Sequence, residues 1–198
     1  MPRKLVIGGV EISRRGRVGI ATRYGQLLVC IDPGEEVANC DYTLCTHLHV
    51  NHCVEPVVRH GRNVFSPLLN EVKSGSTFKL GDLEVEVVDA YNKPELYAGS
   101  PPHPKGVGVG YVLLFPTGFR LYYMGDTNFV DELAHVNGGL TVLVLPIGGG
   151  CVMTPEEAFE AVKTLRPVVT IPVHWDNVKL FHKFRDLSQP YTQVIRVD

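Results

Sequence analysis

The stretch Leu140-Thr141-Val142-Leu143-Val144-Leu145-Pro146-Ile147 limits what this chain can fold into more than any other. It is far shorter than the roughly 20 residues that span a bilayer. Its near-continuous apolar character fits a strand buried on both faces, as in a parallel sheet covered by helices. Thr154-Pro155-Glu156-Glu157 follows, a capping box with Pro at the first helical position. The helix it opens places Ala158, Ala161, Val162 and Leu165 on one face and stops at Pro167. A strand over 168–173, a helix over 178–187 and a strand over 193–197 complete the alternation of a layered α/β domain.

The preceding part reads the same way. Residues 4–12, 17–24 and 26–31 are predicted strands separated by Gly and Arg turns. The third ends in Ile31-Asp32-Pro33-Gly34, which leaves Asp32 at its mouth. A strand is predicted over 42–47, a short helix over 54–60 closed by Gly61, a short apolar piece over 63–66 and a second helix over 67–73. Residues 77–90 alternate around Gly81-Asp82 as a hairpin, and 91–106, with four prolines, form a long loop. A second hairpin, 107–115 with 119–124, precedes a predicted helix over 130–136 that ends at Asn137-Gly138-Gly139. No linker separates the two halves, so a single domain over 1–198 is expected.

With 198 residues, 44% of them apolar, the chain can bury one sizeable core. A net charge of −2 gives neither nucleic acid nor an anionic membrane an electrostatic reason to be the main partner. The basic run Arg14-Arg15-Gly16-Arg17 reads as a solvated turn. No apolar segment is long enough to cross a membrane, and Met1-Pro2-Arg3-Lys4, followed by a few apolar residues and Gly8-Gly9, lacks a signal-peptide core. Five cysteines without a C-x-x-C pair argue against a complete disulfide framework. Mostly buried free thiols in a cytoplasmic protein are therefore expected, with Cys53 the one thiol that lies beside a candidate ligand.

The chemistry gathers at strand ends, where α/β folds place their sites. Thr46-His47-Leu48-His49-Val50-Asn51-His52 holds three histidines within six residues. Histidine is the commonest metal-ligand side chain. Alternate side chains of a strand share a face, so His47 and His49 are expected to point the same way, with His52 supplied by the turn beyond. Four further positions suit a metal site: Asp126 after the strand ending at Met124, His174 after a buried strand, His103 in the long loop, and Asp32. The glycine runs carry no nucleotide motif. Gly106-Val107-Gly108-Val109-Gly110 lacks the dinucleotide spacing, and Gly148-Gly149-Gly150 lacks the Lys-Ser/Thr of a P-loop and instead suits a tight turn near the metals.

These residues carry a resemblance. The segment 46–52 resembles the T-H-x-H-x-D-H signature of the metallo-β-lactamase superfamily, with Asn51 in place of Asp. Gly125-Asp126-Thr127 is similar to its bridging-aspartate motif, and Pro172-Val173-His174-Trp175 to its last histidine motif. Leu145-Pro146-Ile147-Gly148-Gly149, with Met153-Thr154-Pro155-Glu156-Glu157-Ala158, resembles the small metal-dependent hydrolases that include ascorbate-6-phosphate lactonase relatives.

The resemblance implies a four-layer αββα sandwich and a centre of one or two metal ions, zinc above manganese or iron. His47 and His49 would hold one ion with a third histidine. His52, His174 and Asn51 would hold another, with Asp126 bridging. Many relatives have a histidine where this chain has Asn92, and His103 is the substitute expected here. Asn51 offers only a neutral carbonyl oxygen, so the second ion should bind more weakly. Thr46, Thr127 and Asp32 would orient the ligands.

The implied activity is hydrolysis of a small ester, lactone or phosphoester by a metal-activated hydroxide, with Asp126 and Asn51 as the catalytic positions. Lys93, Tyr97 and Lys105 would meet an anionic substrate. The alternatives are a nuclease related to ribonuclease Z, disfavoured by the short chain and absent basic arm, and a metal-binding protein with little hydrolytic activity. A homo-oligomer stays open.

Overall fold

The computed structural model describes residues 4–37, 39–69, 72–136 and 138–197. The first three residues of the N-terminal segment, two residues of the predicted helix over 67–73, and Asn137 lie outside the described residues. The chain divides into two compact units, Met1–Lys73 with Val197–Asp198, and Ser74–Arg196.

The first unit is built on a six-stranded sheet in simple chain order. β1 (Leu5–Ile7), β2 (Val10–Arg15), β3 (Gly19–Tyr24) and β4 (Leu27–Ile31) form an antiparallel meander. The predicted first strand is thus a hairpin, broken where Gly8 and Gly9 both adopt positive φ. β5 (Tyr42–Leu44) and β6 (Val64–Phe65) then join in parallel. Between them lies α1 (Glu55–His60), with Pro56 in its first turn and Gly61 as its cap. Val58 of α1 packs with Val64, Cys45 and Cys53.

The second unit has a seven-stranded sheet ordered β13-β12-β11-β10-β9-β8-β7. β7 (Thr77–Leu80), β8 (Leu83–Ala90), β9 (Gly108–Leu114) and β10 (Arg120–Tyr123) are antiparallel. β11 (Val142–Pro146), β12 (Val169–Val173) and β13 (Gln193–Val194) continue in parallel. All five residues of β11 and of β12 are buried.

α2 (Pro155–Leu165) and α3 (Val178–Ser188) cover this sheet. Ala158, Ala161, Val162 and Leu165 meet Phe181 and Phe184 of α3 and the strand residues Val112, Tyr122, Leu143 and Leu145. Full burial of one such large side chain stabilises the fold by about 1.5–3 kcal/mol. Substituting Ala at Phe184, which is fully buried, should cost about 3–5 kcal/mol.

Among the described residues, two predicted helices contain only tight 3-10 turns. Pro67–Leu69 and Asp131–His135 are 3-10 segments, too short to bury an α-helical stripe. The disulfide expectation needs the larger correction. Cys30 pairs with Cys40, and Cys45 with Cys53, at Cα–Cα distances of 5.9 and 5.8 Å; Cys151 alone is a free thiol. Sequence spacing concealed the pairs because each joins the end of a strand to a residue of the irregular segment beyond it.

Candidate metal centre

Among the described residues, candidate ligands gather within each unit. In the first, β5 ends at Leu44, so the expected strand up to His47 is replaced by a loop that starts with Cys45. The loop turns back on itself, with the His49 amide donating to the Cys53 carbonyl and the His52 amide to the His49 carbonyl. His47 and His49 still stack side by side, with ring centroids 5.9 Å apart and 22° between planes. The His52 ring lies 4.2 Å from that of His47. One nitrogen from each of the three rings falls within 4.8 Å of the others.

Asp32 organises this cluster from the end of β4. It is fully buried and adopts a left-handed backbone, φ 49°. β3 passes so close that a Cβ at Gly19 would sit 2.1 Å from the Asp32 carbonyl oxygen, so only glycine fits there. The Asp32 carboxylate accepts from the Thr46 amide at 2.8 Å and the Thr46 hydroxyl at 2.6 Å, and lies 2.7 Å from His52 Nδ1. Since a carboxylate accepts, His52 Nδ1 carries the proton and its lone pair lies on Nε2. Thr46 spends its hydroxyl proton on Asp32, so its oxygen accepts from His47 Nδ1 at 3.1 Å. Thr46 and Asp32 therefore fix the rings of His47 and His52 through hydrogen bonds. Asn51 sits half-buried in the same loop.

The second cluster centres on Asp126, which is 4% exposed and follows Gly125 just beyond β10. His103 Nε2 lies 3.6 Å and His174 Nε2 3.3 Å from the same oxygen, Asp126 Oδ2. Ligands around a tetrahedral ion with bonds of about 2.0–2.1 Å stand about 3.3 Å apart, so these separations fit a shared metal. His174 leaves β12 in a left-handed conformation, φ 53°. A Cβ at Gly148 would lie 2.4 Å from the His174 carbonyl oxygen, so this glycine is a close-approach residue.

Thr127 holds the turn more than the ligand. Its hydroxyl donates to the Tyr91 or Asn128 carbonyl and accepts from the Tyr91 amide, tying the Asp126 loop to the end of β8. Asn92, fully buried, takes His103 as its partner. Lys105 pairs with Glu132 and lies 5.0 Å from the Tyr91 ring, and the Tyr97 hydroxyl donates to the Gly150 carbonyl at 2.6 Å. Both side chains are thus engaged within the protein. The Lys93 amide donates to Asn128 Oδ1 at 3.0 Å. Burial, and then the charge of Asp126, pushes the Cys151 thiol up.

The sequence did not point to Asn128 or to a second role for Glu157. Instead of folding back on its own helix start, Glu157 accepts from Asn128 Nδ2 at 3.0 Å and from the Phe129 amide at 2.9 Å. Half of the capping box is therefore present, with the Glu157 amide donating to Thr154 Oγ1 at 3.3 Å. No helix among the described residues is long and apolar enough to cross a membrane.

Residues 15–174 match the β-lactamase superfamily domain. Among curated relatives, a UPF0173 metal-dependent hydrolase of Myxococcus xanthus is 29% identical over 87% of this chain and 73% of its own. Another, from Koribacter versatilis, is 30% identical over 74% of this chain and 70% of its own. Among solved structures, the metallo-β-lactamase fold protein YhfI of Bacillus subtilis superposes with a TM-score of 0.70 at 11% identity, over 100% of this chain and 96% of that one. The α/β fold expected from the motifs is therefore the fold of this chain. It belongs to the β-lactamase superfamily, as one of its metal-dependent hydrolases.

Proposed function

We propose that the chain hydrolyses a small ester, lactone or phosphoester at a centre of one or two metal ions, with zinc favoured over manganese or iron. The observation that carries this reading is the approach of His103 and His174 to one oxygen of Asp126 at metal-ligand spacing. The distribution of ligands is the one the family motif implies. His47, His49 and His103 serve one ion, His52, His174 and Asn51 the other, and Asp126 both.

When bound, a divalent ion lowers the pKa of a coordinated water from about 15.7 toward roughly 7. The chain's own residues prepare for that. Asp32 accepts the Nδ1–H of His52 and, through Thr46, fixes His47, so that both rings offer Nε2. Asn51 brings a neutral oxygen where the motif has a carboxylate, so it takes up no proton from the attacking water and binds its ion weakly. Lys93 is the better placed of the three substrate-binding candidates, because Tyr97 and Lys105 already have partners. We take residues 1–198 as a single domain, with a homo-oligomer left open.

Elemental analysis of the purified chain, with turnover of a phosphodiester, a lactone and a β-lactam, tests the reading. Hydrolysis that chelation abolishes and zinc restores is the expected result. Full metal occupancy with no turnover of any of the three would overturn it.

A further inference from the structure

The position that departs from the family's histidine, Asn92, is built into the second unit with unusual completeness. It is fully buried. Its Oδ1 accepts from the His103 amide at 3.1 Å and lies 2.9 Å from His103 Nδ1. Its Nδ2 donates to the Cys151 carbonyl at 3.0 Å and to Asn128 Oδ1 at 3.2 Å. The Asn92 amide also donates to the His103 carbonyl at 2.8 Å.

An asparagine's oxygen and nitrogen are distinguished by their partners, and here the partners are decisive. A backbone amide can only donate and a backbone carbonyl can only accept. The His103 amide therefore identifies Asn92 Oδ1, and the Cys151 carbonyl identifies Asn92 Nδ2. The Lys93 amide, which donates to Asn128 Oδ1 at 3.0 Å, fixes Asn128 in the same way. Asn128 Nδ2 then donates to the Glu157 carboxylate at 3.0 Å, which also accepts from the Phe129 amide. Asn92 and Asn128 therefore each have one permitted amide orientation.

One consequence bears on the candidate metal ligand. His103 Nδ1 faces an oxygen that can only accept, so the proton belongs on Nδ1. The lone pair is left on Nε2, the atom 3.6 Å from Asp126 Oδ2. The other tautomer would set a ring lone pair against the Asn92 carbonyl.

We propose that Asn92 is a positioning residue that selects the Nδ1–H tautomer of His103 and aims Nε2 at the metal centre. Asn128 and Glu157 hold Asn92 in turn. This inference rests on the reading of His103 as a metal ligand. It adds that the histidine missing at position 92 is replaced by a residue that orients the histidine at 103. Outer partners of this kind typically change metal affinity 10–100-fold when removed.

The test uses the full chain in two states. Long-range proton–nitrogen NMR on histidine-labelled, metal-free protein near about pH 8, above the ordinary histidine range, reads the tautomer directly. The expected result is His103 as Nδ1–H in the unmodified chain. Asn92→Ala should lose this preference, and competition titration should show its zinc affinity down 10–100-fold. Asn92→Asp keeps an acceptor opposite Nδ1 and should restore the tautomer. An Nε2–H tautomer in the unmodified chain would overturn the proposal even if Asn92→Ala failed to fold. So would an Nδ1–H tautomer that persists in a folded Asn92→Ala chain. The metal-free spectrum does not depend on turnover, so an inactive protein would count against the hydrolase reading alone.

Discussion

Cys45 and Cys53 are joined across the loop that carries His47, His49, Asn51 and His52, so the whole histidine signature lies inside one short covalent ring. Cys45 is the first residue past β5, and Cys53 accepts the His49 amide. The second pair, Cys30 and Cys40, does the same for the segment that carries Asp32.

Opening the Cys45–Cys53 ring should therefore loosen the ligands before it unfolds the protein. Closing a loop of this length removes about 2–3 kcal/mol of freedom from the unfolded chain. We expect Cys45→Ser with Cys53→Ser to lose about that much in denaturant unfolding and to bind zinc more weakly. A thiol assay on unfolded, unreduced protein should find one thiol, and five after reduction. Five thiols before reduction would refute the pairing.

Asp32→Asn tests the carboxylate that sets two imidazoles. The substituted amide can accept from the Thr46 amide, but its nitrogen then faces His52 Nδ1. That nitrogen donates, so His52 must move its proton to Nε2, which leaves that atom no lone pair for a metal. Metal affinity should fall by 10–100-fold, measured by competition titration. Unchanged affinity would mean that His52 does not ligate through Nε2.

Asn51→Asp should raise the metal content of the purified chain and strengthen the weaker ion, because it restores a charged oxygen at the motif position. Elemental analysis of both proteins, prepared together, decides the matter. Equal metal content would remove Asn51 from the ligand set.

Glu132 titrates far from its usual range, lowered from 4.5 to about 2 by its hydrogen bond with Lys105, then by a backbone bond and the Tyr91 hydroxyl. A carboxylate with a depressed folded value contributes stability that is complete above its unfolded value and disappears as the pH falls through the folded one. Glu132→Gln should therefore lower Tm at neutral pH, with the gap closing between about pH 4.5 and about 2. A gap independent of pH would show that the pair does not act through charge.

Much of this fold was legible because hydrophobic period is a local signal. The hairpins β7–β8 and β9–β10 and the buried strands β11 and β12 fell where alternation and apolar runs placed them. The ends of elements were less legible. Residues 45–47 looked like strand, but the backbone leaves the sheet at Cys45 to close the disulfide ring. The segment at 131–135 has helical composition, yet it is too short to gain from α-helical packing and tightens into a 3-10 turn.

Within the first unit His47, His49 and His52 lie together, and within the second Asp126 and His174 of the motifs lie beside His103, the expected substitute. What supports them was hidden. Asn128 carries no motif, and Glu157 looked fully occupied by its own helix. Such contacts depend on long-range packing, which no short spacing reveals. The cysteines did offer a clue, since Cys45 and Cys53 bracket the histidine segment.

Each sheet begins as antiparallel hairpins and ends in parallel strands, and that arrangement sets an order of assembly. Hairpins close over a few residues, whereas parallel neighbours wait for a long crossover. β5 and β12, which lead to His47 and His174, both join their sheets in parallel. We therefore expect the candidate metal ligands to be among the last groups to find their places, with any metal captured by a nearly finished protein. Pulse-labelled hydrogen exchange during refolding should protect β2, β3, β8 and β9 before β5 and β12. The reverse order would mean that ion binding starts the folding of this chain.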